Sequence, residues 1–390
     1  MSITLLPPKT RVELAYFPIF ITKVNQRQFV KPHPQPRVMA GSKTYADYLS
    51  LHELLSLQGD DNELSNDEQH FVIVHQNFEL WFRLVLIELR AARTLLLQTT
   101  LPEEDVPRIV HHLKRCIEIF RHMANQWKIM ETLTPQDFLA FRDGLGTASG
   151  FESYQMRELE LLLGLETKQR VAGMDPLAHF RKLAERGETD AEVLERLEAE
   201  AAMPALGDIL ANWLLRTPIQ GSLAGDAGDE EKVSVFVDEY LAIHKKIGDD
   251  AVARMSQHGV DNIEAVAARF AGAHEAAIDF LRPDGVVSRS RAGLLFIESY
   301  RELPLLAWPR ILIDTLVELE ESLVLFRTHH VRMVERLIGR RVGTGGSSGV
   351  DYLEATLQYR VFGDLWAVRT ILIKREALPE LQQPEFYGFA

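Results

Sequence analysis

Two histidines stand at positions where the surrounding sequence favours apolar side chains. The stretch FVIVHQNFELWFRL, from Phe71 to Leu84, is almost uninterrupted apolar sequence with His75 in its middle. The second, His330, belongs to a series whose spacings of three and four mark one stripe of a helix: Leu316, Leu319, Leu323, Phe326, His330, Met333 and Leu337. An imidazole directed inward from a long helix has the chemistry of an axial metal or haem ligand. A core histidine with one satisfied hydrogen bond gives the same pattern.

Two inward histidines on two buried helices favour a shared cofactor site, because helical bundles build such sites between their helices. A haem would be bound by one histidine and face the other. Non-haem iron is the competing interpretation, since Glu79 lies one turn from His75 and could complete a His and carboxylate pair. The simpler expectation is that Glu79 pairs with Arg83. His329 lies off the stripe and is expected to be only partly buried.

Two glycine-rich segments could contribute to the same site. In FRDGLGTASGF, Phe141 to Phe151, Arg142 precedes a Gly/Ser loop. A buried arginine requires a carboxylate partner, so a substrate acid or a structural ion pair would satisfy it. The loop GTGGSSG, within Gly339–Gly349, lacks the lysine of a phosphate loop and follows a helix, so we interpret it either as a place of close backbone approach to a small ligand or as a hinge.

Two other histidines lack the partners that known metal motifs require. His112 and Cys116 share a helix face, but no second thiol accompanies them. The pair His274-Glu275 lacks the second histidine of a zinc-protease helix.

The elements that must position these residues are helical. From Tyr45 onward we find no alternation of period two, so the sequence predicts an all-α fold. Ser65 followed by Glu68 predicts a capped helix that is apolar on all sides to about Leu89 and therefore buried all round. Another helix is predicted over 106–130. A further one begins at Thr134-Pro135, with proline in its first turn.

The remaining chain is also predicted to be helical, in two parts. Residues 165–305 are rich in Ala, Glu and Arg, with breaks at Gly221–Gly228 and Arg282–Gly285, and we interpret them as helical insertions. Residues 311–374 are predicted to form two long helices joined by Gly339–Gly349. The sequence thus predicts a single helical domain over 44–390.

Composition excludes several classes of function. The chain has 390 residues, 46% hydrophobic and 25% charged, as in ordinary globular proteins. Its net charge of −13 argues against nucleic acid, and no apolar run approaches the ~18 residues that span a bilayer. The single Cys116 and the absence of a signal-peptide pattern favour the cytoplasm. Residues 1–43 form a basic arm with seven Lys or Arg and one acid.

Four blocks together resemble the tryptophan 2,3-dioxygenase family, and their order also matches. They are YADYLSLHELLSLQ (Tyr45–Gln58), NDEQHFVIVHQNFELWF (Asn66–Phe82), METLTPQDFLAFRDGLGTASGFESYQMR (Met130–Arg157) and HHVRMVERLIGRRVGTGGSSGVDYL (His329–Leu353). The resemblance implies an all-α bundle that encloses haem b and assembles as a homotetramer, a dimer of dimers.

The resemblance also implies roles for individual residues. His330 would be the proximal iron ligand, with Ser149 and Gly343 beside the haem, and His75 on the distal side would accept a hydrogen bond from the indole N–H. Arg142 and Thr344 would bind the amino-acid carboxylate and ammonium. The indole ring would lie in a pocket whose walls come from two groups of residues: Phe71, Phe138 and Leu145, and, from the N-terminal segment of a neighbouring subunit, Tyr45 and Tyr48.

The implied reaction joins L-tryptophan and O2 to give N-formyl-kynurenine. Asn66 and Glu152 stand where the family resemblance leads us to expect histidine and glutamine, which leaves open whether the substrate is tryptophan or a derivative. Two alternatives follow from the same resemblance. One is a haem-dependent monooxygenase that hydroxylates an aromatic amino acid, and the other is a haem sensor without turnover.

Overall fold

The computed structural model describes residues 44–59, 64–99, 101–102, 104–146, 149–341 and 349–388. The chain divides into two compact units, Met1–Gln58 and Gly59–Ala390. The basic arm predicted over residues 1–43 lies outside the described residues. The extent of a single domain over 44–390 stays a prediction.

The described chain is mainly helical, as predicted, and its extended pairing is one isolated bridge between Ile219 and Ser222. The α-helices are α1 Tyr45–Leu49, α2 Leu51–Leu54, α3 Asn66–Leu96, α4 Asp105–Met130, α5 Pro135–Arg142, α6 Tyr154–Leu163, α7 Ala178–Ala184, α8 Glu188–Ala201, α9 Leu206–Leu214, α10 Asp229–Gln257, α11 Ile263–Leu281, α12 Arg289–Ser299, α13 Ala307–Ile338, α14 Gly349–Thr356 and α15 Gly363–Thr370. Short 3₁₀ helices occur at Asp143–Leu145, Gly150–Glu152, Thr167–Gln169, Val171–Gly173, Pro283–Gly285, Pro304–Leu306, Arg375–Ala377 and Pro384–Tyr387. In the described residues no helix is both long and apolar enough to cross a membrane.

Two helix starts follow the capping rules that the sequence suggested. Ser65 precedes α3, and its hydroxyl accepts a hydrogen bond from the Glu68 N–H at 3.1 Å. Thr134 precedes α5 and accepts from the Asp137 N–H at 3.2 Å, while the Asp137 carboxylate accepts from the Thr134 hydroxyl. Each cap satisfies an N–H group that has no partner inside the helix. The two predicted starts are confirmed.

Three long helices, α3, α4 and α13, form the centre of the second unit, with α4 packed against both of the others. Their facing side chains are fully buried, among them Leu89, Phe120 and Leu316. The predicted stripe on α13 is buried on either side of His330. Because close packing restricts rotamers and backbone movement, these helices hold the side chains that they carry in defined positions.

The prediction that α3 is buried on all sides is wrong. Ile73, Leu80 and Ile87 follow one another at intervals of seven and are 43%, 50% and 51% exposed, so they form a line along its outer face. Hydrophobic content does not fix burial, because much of a folded protein's surface is apolar. Neighbouring helices cover only the other faces of α3 in this chain.

The middle of the chain is helical, as predicted, from α7 to α12. The predicted breaks fall between helices: Gly221–Gly228 lies between α9 and α10, and Arg282–Gly285 between α11 and α12. Helices α10 and α11 pack on each other as a long hairpin. Helices α7 and α8 build a small second hydrophobic cluster.

The prediction of two long helices over 311–374 is half wrong, because α13 is long but the sequence after it forms the two short helices α14 and α15. The buried carboxylate of Glu320 on α13 explains the interruption. It accepts hydrogen bonds from the backbone N–H groups of Val361 and Phe362, at 2.5 and 3.3 Å, and from the indole N–H of Trp366. Backbone N–H groups bound to a carboxylate are unavailable for continuous helix, so the chain turns here.

Candidate active site

A cavity opens between α3, α4, α5, α6, α13 and α14. Seven of the residues singled out from the sequence line it together: Phe71, His75, Phe138, Arg142, Leu145, Ser149 and His330. These residues come from segments up to 259 positions apart in the sequence, Phe71 to His330. The fold therefore collects them into one site, which is concave and mostly apolar with a few polar groups, as small-molecule sites generally are.

His75 has a defined orientation in this cavity. Its Nδ1 lies 2.7 Å from the backbone carbonyl oxygen of Phe71, and its ring lies 4.0 Å from the Phe71 ring between centroids. A carbonyl only accepts, so Nδ1 carries the proton and donates to it. Burial lowers the pKa of His75 below its ordinary value. The ring is thus neutral, and Nε2 keeps a free lone pair that can accept a hydrogen bond.

His330 is half-buried at the cavity, and its imidazole is neutral as well. Burial, aided by the nearby His75, lowers the pKa of His330 to about 4. In the described residues neither imidazole nitrogen has a hydrogen-bond partner. The ring of Trp127 on α4 stacks on it at 4.5 Å with an interplanar angle of 11°. A neutral imidazole held in place by stacking, with an uncommitted lone pair, is suited to bind a metal.

Aromatic rings and a cation line the part of the cavity near His75. The ring of Phe71 contacts those of Phe138 and Phe141 at 5.8 and 5.7 Å between centroids. Both belong to α5, which ends at Arg142. This arrangement can bind a flat apolar ligand that carries an anionic group, because the walls present aromatic ring faces and the guanidinium of Arg142 presents N–H donors.

Glu79, one turn from His75, has partners other than the expected Arg83. Its two carboxylate oxygens accept from the Ser153 hydroxyl at 2.6 Å and from the Gln155 side-chain amide at 2.8 Å. The expected pair with Arg83 is therefore wrong. These bonds tie the segment after Ser149 to α3. The same hydrogen bonds occupy the carboxylate that a non-haem iron site would use. Within the described ranges no set of three metal-binding side chains forms.

One wall of the cavity carries an excess of positive charge. Glu160 is buried and forms ion pairs with Arg157 and Arg170, each at 2.5 Å, and with Arg327 at 2.8 Å. Burial raises the pKa of Glu160, but the charges of these three arginines outweigh burial and leave it below its ordinary value. Glu160, Arg157 and Arg327 line the cavity, and the Arg157 Nε is buried without a hydrogen-bond partner. This wall can therefore bind an anion.

Four of the singled-out residues are not part of the described cavity. Thr344 and Gly343 lie outside the described residues. Tyr45 and Tyr48 belong to α1 in the first unit, where their side chains are 76% and 71% exposed.

Sequence reasoning missed Trp127, Glu160, Arg157 and Arg327. Trp127 follows Phe120 and Met123 at helical spacing, so it looks like an ordinary core residue. Arg327 lies next to Phe326 of the predicted stripe, and this position in the sequence was the available signal that its side chain is buried. The ion pairs of Glu160 join α6 to α13, 167 residues apart, and no local pattern announces such a contact.

The fold and the cavity define a class: an all-α protein with a two-histidine site at a cavity, an aromatic pocket and a basic wall. The family model described as "Tryptophan 2,3-dioxygenase" matches residues 32–372 of the chain. The chain belongs to the tryptophan 2,3-dioxygenase family, which is a family of oxidoreductases.

Several curated relatives agree with that assignment. A tryptophan 2,3-dioxygenase of Sorangium cellulosum (strain So ce56) is 40% identical over 363 residues, which cover 88% of this chain and 87% of the relative. The tryptophan 2,3-dioxygenase 2 of Ralstonia nicotianae (strain ATCC BAA-1114 / GMI1000) is 41% identical over 369 residues, covering 89% and 98%. The tryptophan 2,3-dioxygenase of Aedes aegypti is 33% identical over 363 residues, covering 89% and 90%.

Replacing Glu160 by glutamine is expected to destabilise the protein strongly. The substitution leaves three buried guanidinium groups without their anion, which costs about 3–5 kcal/mol in the free energy of unfolding. The control is Glu166→Gln, an exposed residue paired with Lys168, where little change is expected. Urea unfolding at pH 7 measures both. Equal unfolding midpoints for the two variants would show that the ion pairs of Glu160 contribute nothing.

The stability of the parent protein and that of Glu160→Gln should depend differently on pH. The folded pKa of Glu160 lies below 4.5, so its stabilisation is present above pH 4.5 and is lost as pH falls through the folded value. The parent protein should therefore lose more stability than Glu160→Gln over this acidic range.

Proposed function

We propose that this chain is a haem-dependent dioxygenase that opens the indole ring of L-tryptophan with O2 to give N-formyl-kynurenine. Family membership supports the reaction class. The observation that carries the proposal is the pair of neutral, half-buried histidines at one cavity, His330 with an uncommitted lone pair and His75 with an oriented Nε2.

The residues of the cavity fit haem b. His330 would bind the iron, because it is neutral and has no hydrogen-bond partner in the described residues. Apolar side chains beside it, Phe326, Val334 and Ile338, would contact the porphyrin face. The basic wall at Arg157 and the segment around Ser149 would meet its propionate edge, with Gly343 contributing from the adjoining loop. When bound, haem supplies the site for O2 and the redox chemistry of oxygen addition.

The protein's own residues would bind and orient the substrate. The Nε2 of His75 would accept the indole N–H, since Nδ1 is committed to the Phe71 carbonyl. Phe138 and Leu145 would pack on the ring together with Phe71. His75 orients the substrate and does not remove its proton, because an indole N–H is a very weak acid. Holding the ring in one place in a cavity of low polarity lowers the entropic barrier to the reaction.

The amino-acid end of the substrate would be bound by Arg142 and Thr344. Arg142 lines the cavity at the end of α5 and presents a planar guanidinium that matches a carboxylate in two hydrogen bonds. Thr344 would bind the ammonium and carboxylate from the loop after α13. An enzyme needs this clamp for substrate selection, whereas a sensor of haem does not.

We further propose a homotetramer that works in the cytoplasm. In this assembly the helix α1, with Tyr45 and Tyr48, would reach the indole pocket of a neighbouring subunit. Two large exposed tyrosine rings on one short helix support such an interface role. The single cysteine, Cys116, is buried, which is compatible with a reducing compartment.

The substitution His330→Ala should abolish stable haem binding, because it removes the imidazole nitrogen that would bind the iron. The matched control is His329→Ala, because the His329 Nδ1 donates to the Ala124 carbonyl at 2.8 Å and His329 does not line the cavity. The measurement is the ratio of haem absorbance to protein after purification with added haem. A full complement of haem in His330→Ala would contradict the proximal role, whatever its activity.

Arg142→Ala should weaken the use of L-tryptophan through loss of the carboxylate contact, by about 2–5 kcal/mol as for truncation of a buried charge pair. The comparison substrate is tryptamine, which lacks the carboxylate. The parent enzyme should strongly prefer L-tryptophan in kcat/KM, and Arg142→Ala should lose this preference. If the parent uses both substrates equally well, Arg142 is not the clamp.

The function itself is tested with the ferrous, haem-loaded protein, L-tryptophan and isotopically labelled O2. Mass analysis of the product should show that both oxygen atoms are labelled and that the product is N-formyl-kynurenine. One labelled oxygen in a hydroxylated product would identify a monooxygenase. Haem binding without turnover of any aromatic amino acid would identify a sensor.

A further inference from the structure

A second pair of histidines faces each other between α10 and α11. The Nδ1 atoms of His244 and His274 lie 3.4 Å apart. The two rings are nearly parallel, with an interplanar angle of 21° and centroids 5.6 Å apart. Both side chains are partly buried. Neither residue lines the candidate active site, so the dioxygenase reaction gives no reason for the pair.

The packing of the hairpin holds the two histidines in register. One turn along α10 from His244, Gly248 faces Phe270, which is one turn along α11 from His274. A Cβ added at Gly248 would lie 3.4 Å from the Phe270 ring, so the two helices approach closely at this level. The opposition of His244 and His274 is therefore a consequence of helix packing on two rigid elements, which is the way that precise sites are built.

The separation of the nitrogens suits a bridging ion better than a direct hydrogen bond. The two nitrogens are within hydrogen-bond distance, but 3.4 Å is long for such a bond, since N–H donors usually lie about 2.7–3.2 Å from an oxygen acceptor. Two imidazole nitrogens at about 2.0–2.1 Å from a tetrahedral ion stand about 3.3–3.4 Å apart. The nitrogens of His244 and His274 already have this spacing, so a bound ion requires only reorientation of the rings.

The surroundings leave room for the rest of a coordination sphere. A cavity of about 890 Å³ opens beside the pair, with walls from α10, α11 and the segment Thr370–Lys374. Within the described ranges no third histidine, cysteine or carboxylate completes a set with these two. The remaining positions around an ion would thus be filled by water or by a small ligand from the cavity.

We propose that His244 and His274 form a binding site for a divalent transition-metal ion such as Zn²⁺, Ni²⁺ or Cu²⁺. Imidazole is a preferred ligand for these ions, whereas Mg²⁺ and Ca²⁺ prefer oxygen. Because each histidine belongs to a different helix, the ion links α10 to α11 and stabilises the hairpin. The open positions make the site accessible to an exchangeable ligand.

The test is isothermal titration of the haem-loaded protein with ZnCl₂, accompanied by thermal unfolding with and without Zn²⁺. A site with two protein ligands should bind with a Kd of roughly 1–100 µM. Saturating Zn²⁺ should raise Tm by roughly 2–5 °C, because an ion that binds only the folded state stabilises it. Mg²⁺ should do neither.

Single variants distinguish this site from other surface histidines. His244→Ala and His274→Ala should each weaken Zn²⁺ binding at least tenfold and abolish the rise in Tm. His258→Ala, at the exposed end of α10, is the matched control and should bind as the parent does. The double variant His244→Ala/His274→Ala should lose little more than either single variant, because the two ligands act as one site.

Two results would overturn the proposal: no Zn²⁺ binding tighter than roughly 100 µM, or binding that is unchanged in both single variants. Circular dichroism and the metal-free Tm of each variant establish that the hairpin is folded. The dioxygenase assay is independent, since neither histidine lines that cavity.

Discussion

The site depends on a half-buried, neutral imidazole that has no hydrogen-bond partner among the described residues. Lowering the pKa of His330 from 6.5 to about 4 means that charging the ring inside the protein costs about 3 kcal/mol more than in water. The place of His330 in an otherwise apolar stripe, stacked against Trp127, supports the proposal that its imidazole binds a metal.

The second unit places this imidazole at the same cavity as the imidazole of His75, whose hydrogen bonding is different. His75 has its Nδ1 committed to a backbone carbonyl, so it presents an acceptor to a guest. The two rings are carried by different helices, α3 and α13, and both of these pack on α4. Hydrogen bonds and ion pairs of two carboxylates then fix the segments around the cavity. Glu79 holds the segment that begins at Ser153, and Glu160 holds three arginines, so that polar groups of opposite character surround an apolar interior.

Sequence reasoning succeeded where the signal is local or periodic. The caps at Ser65 and Thr134 and the stripe through His330 depend on residues three or four apart, and such contacts can be read directly from spacing. It failed where burial depends on which neighbours cover a face. The outward line of Ile73, Leu80 and Ile87 looks in sequence like the inward residues between them.

It failed again where one buried charge acts at long range. Glu320 binds the backbone at Val361, 41 residues further along the chain, where the helical sequence is interrupted. Glu79 accepts hydrogen bonds from Ser153 and Gln155 and does not pair with Arg83, its neighbour on α3. The opposition of His244 and His274 has the same origin, because their encounter requires the packing of α10 on α11. The roles proposed for residues of the candidate active site come from the family resemblance. The structure supplies the reasons why particular atoms are suited to them.

The most direct test of the central claim is a crystal structure of the haem-loaded protein with L-tryptophan bound under anaerobic conditions. The account predicts that the iron is bonded to His330, that the Nε2 of His75 accepts the indole N–H, and that the substrate carboxylate meets Arg142. Iron bonded to His75 instead, or a haem that touches neither histidine, would contradict it.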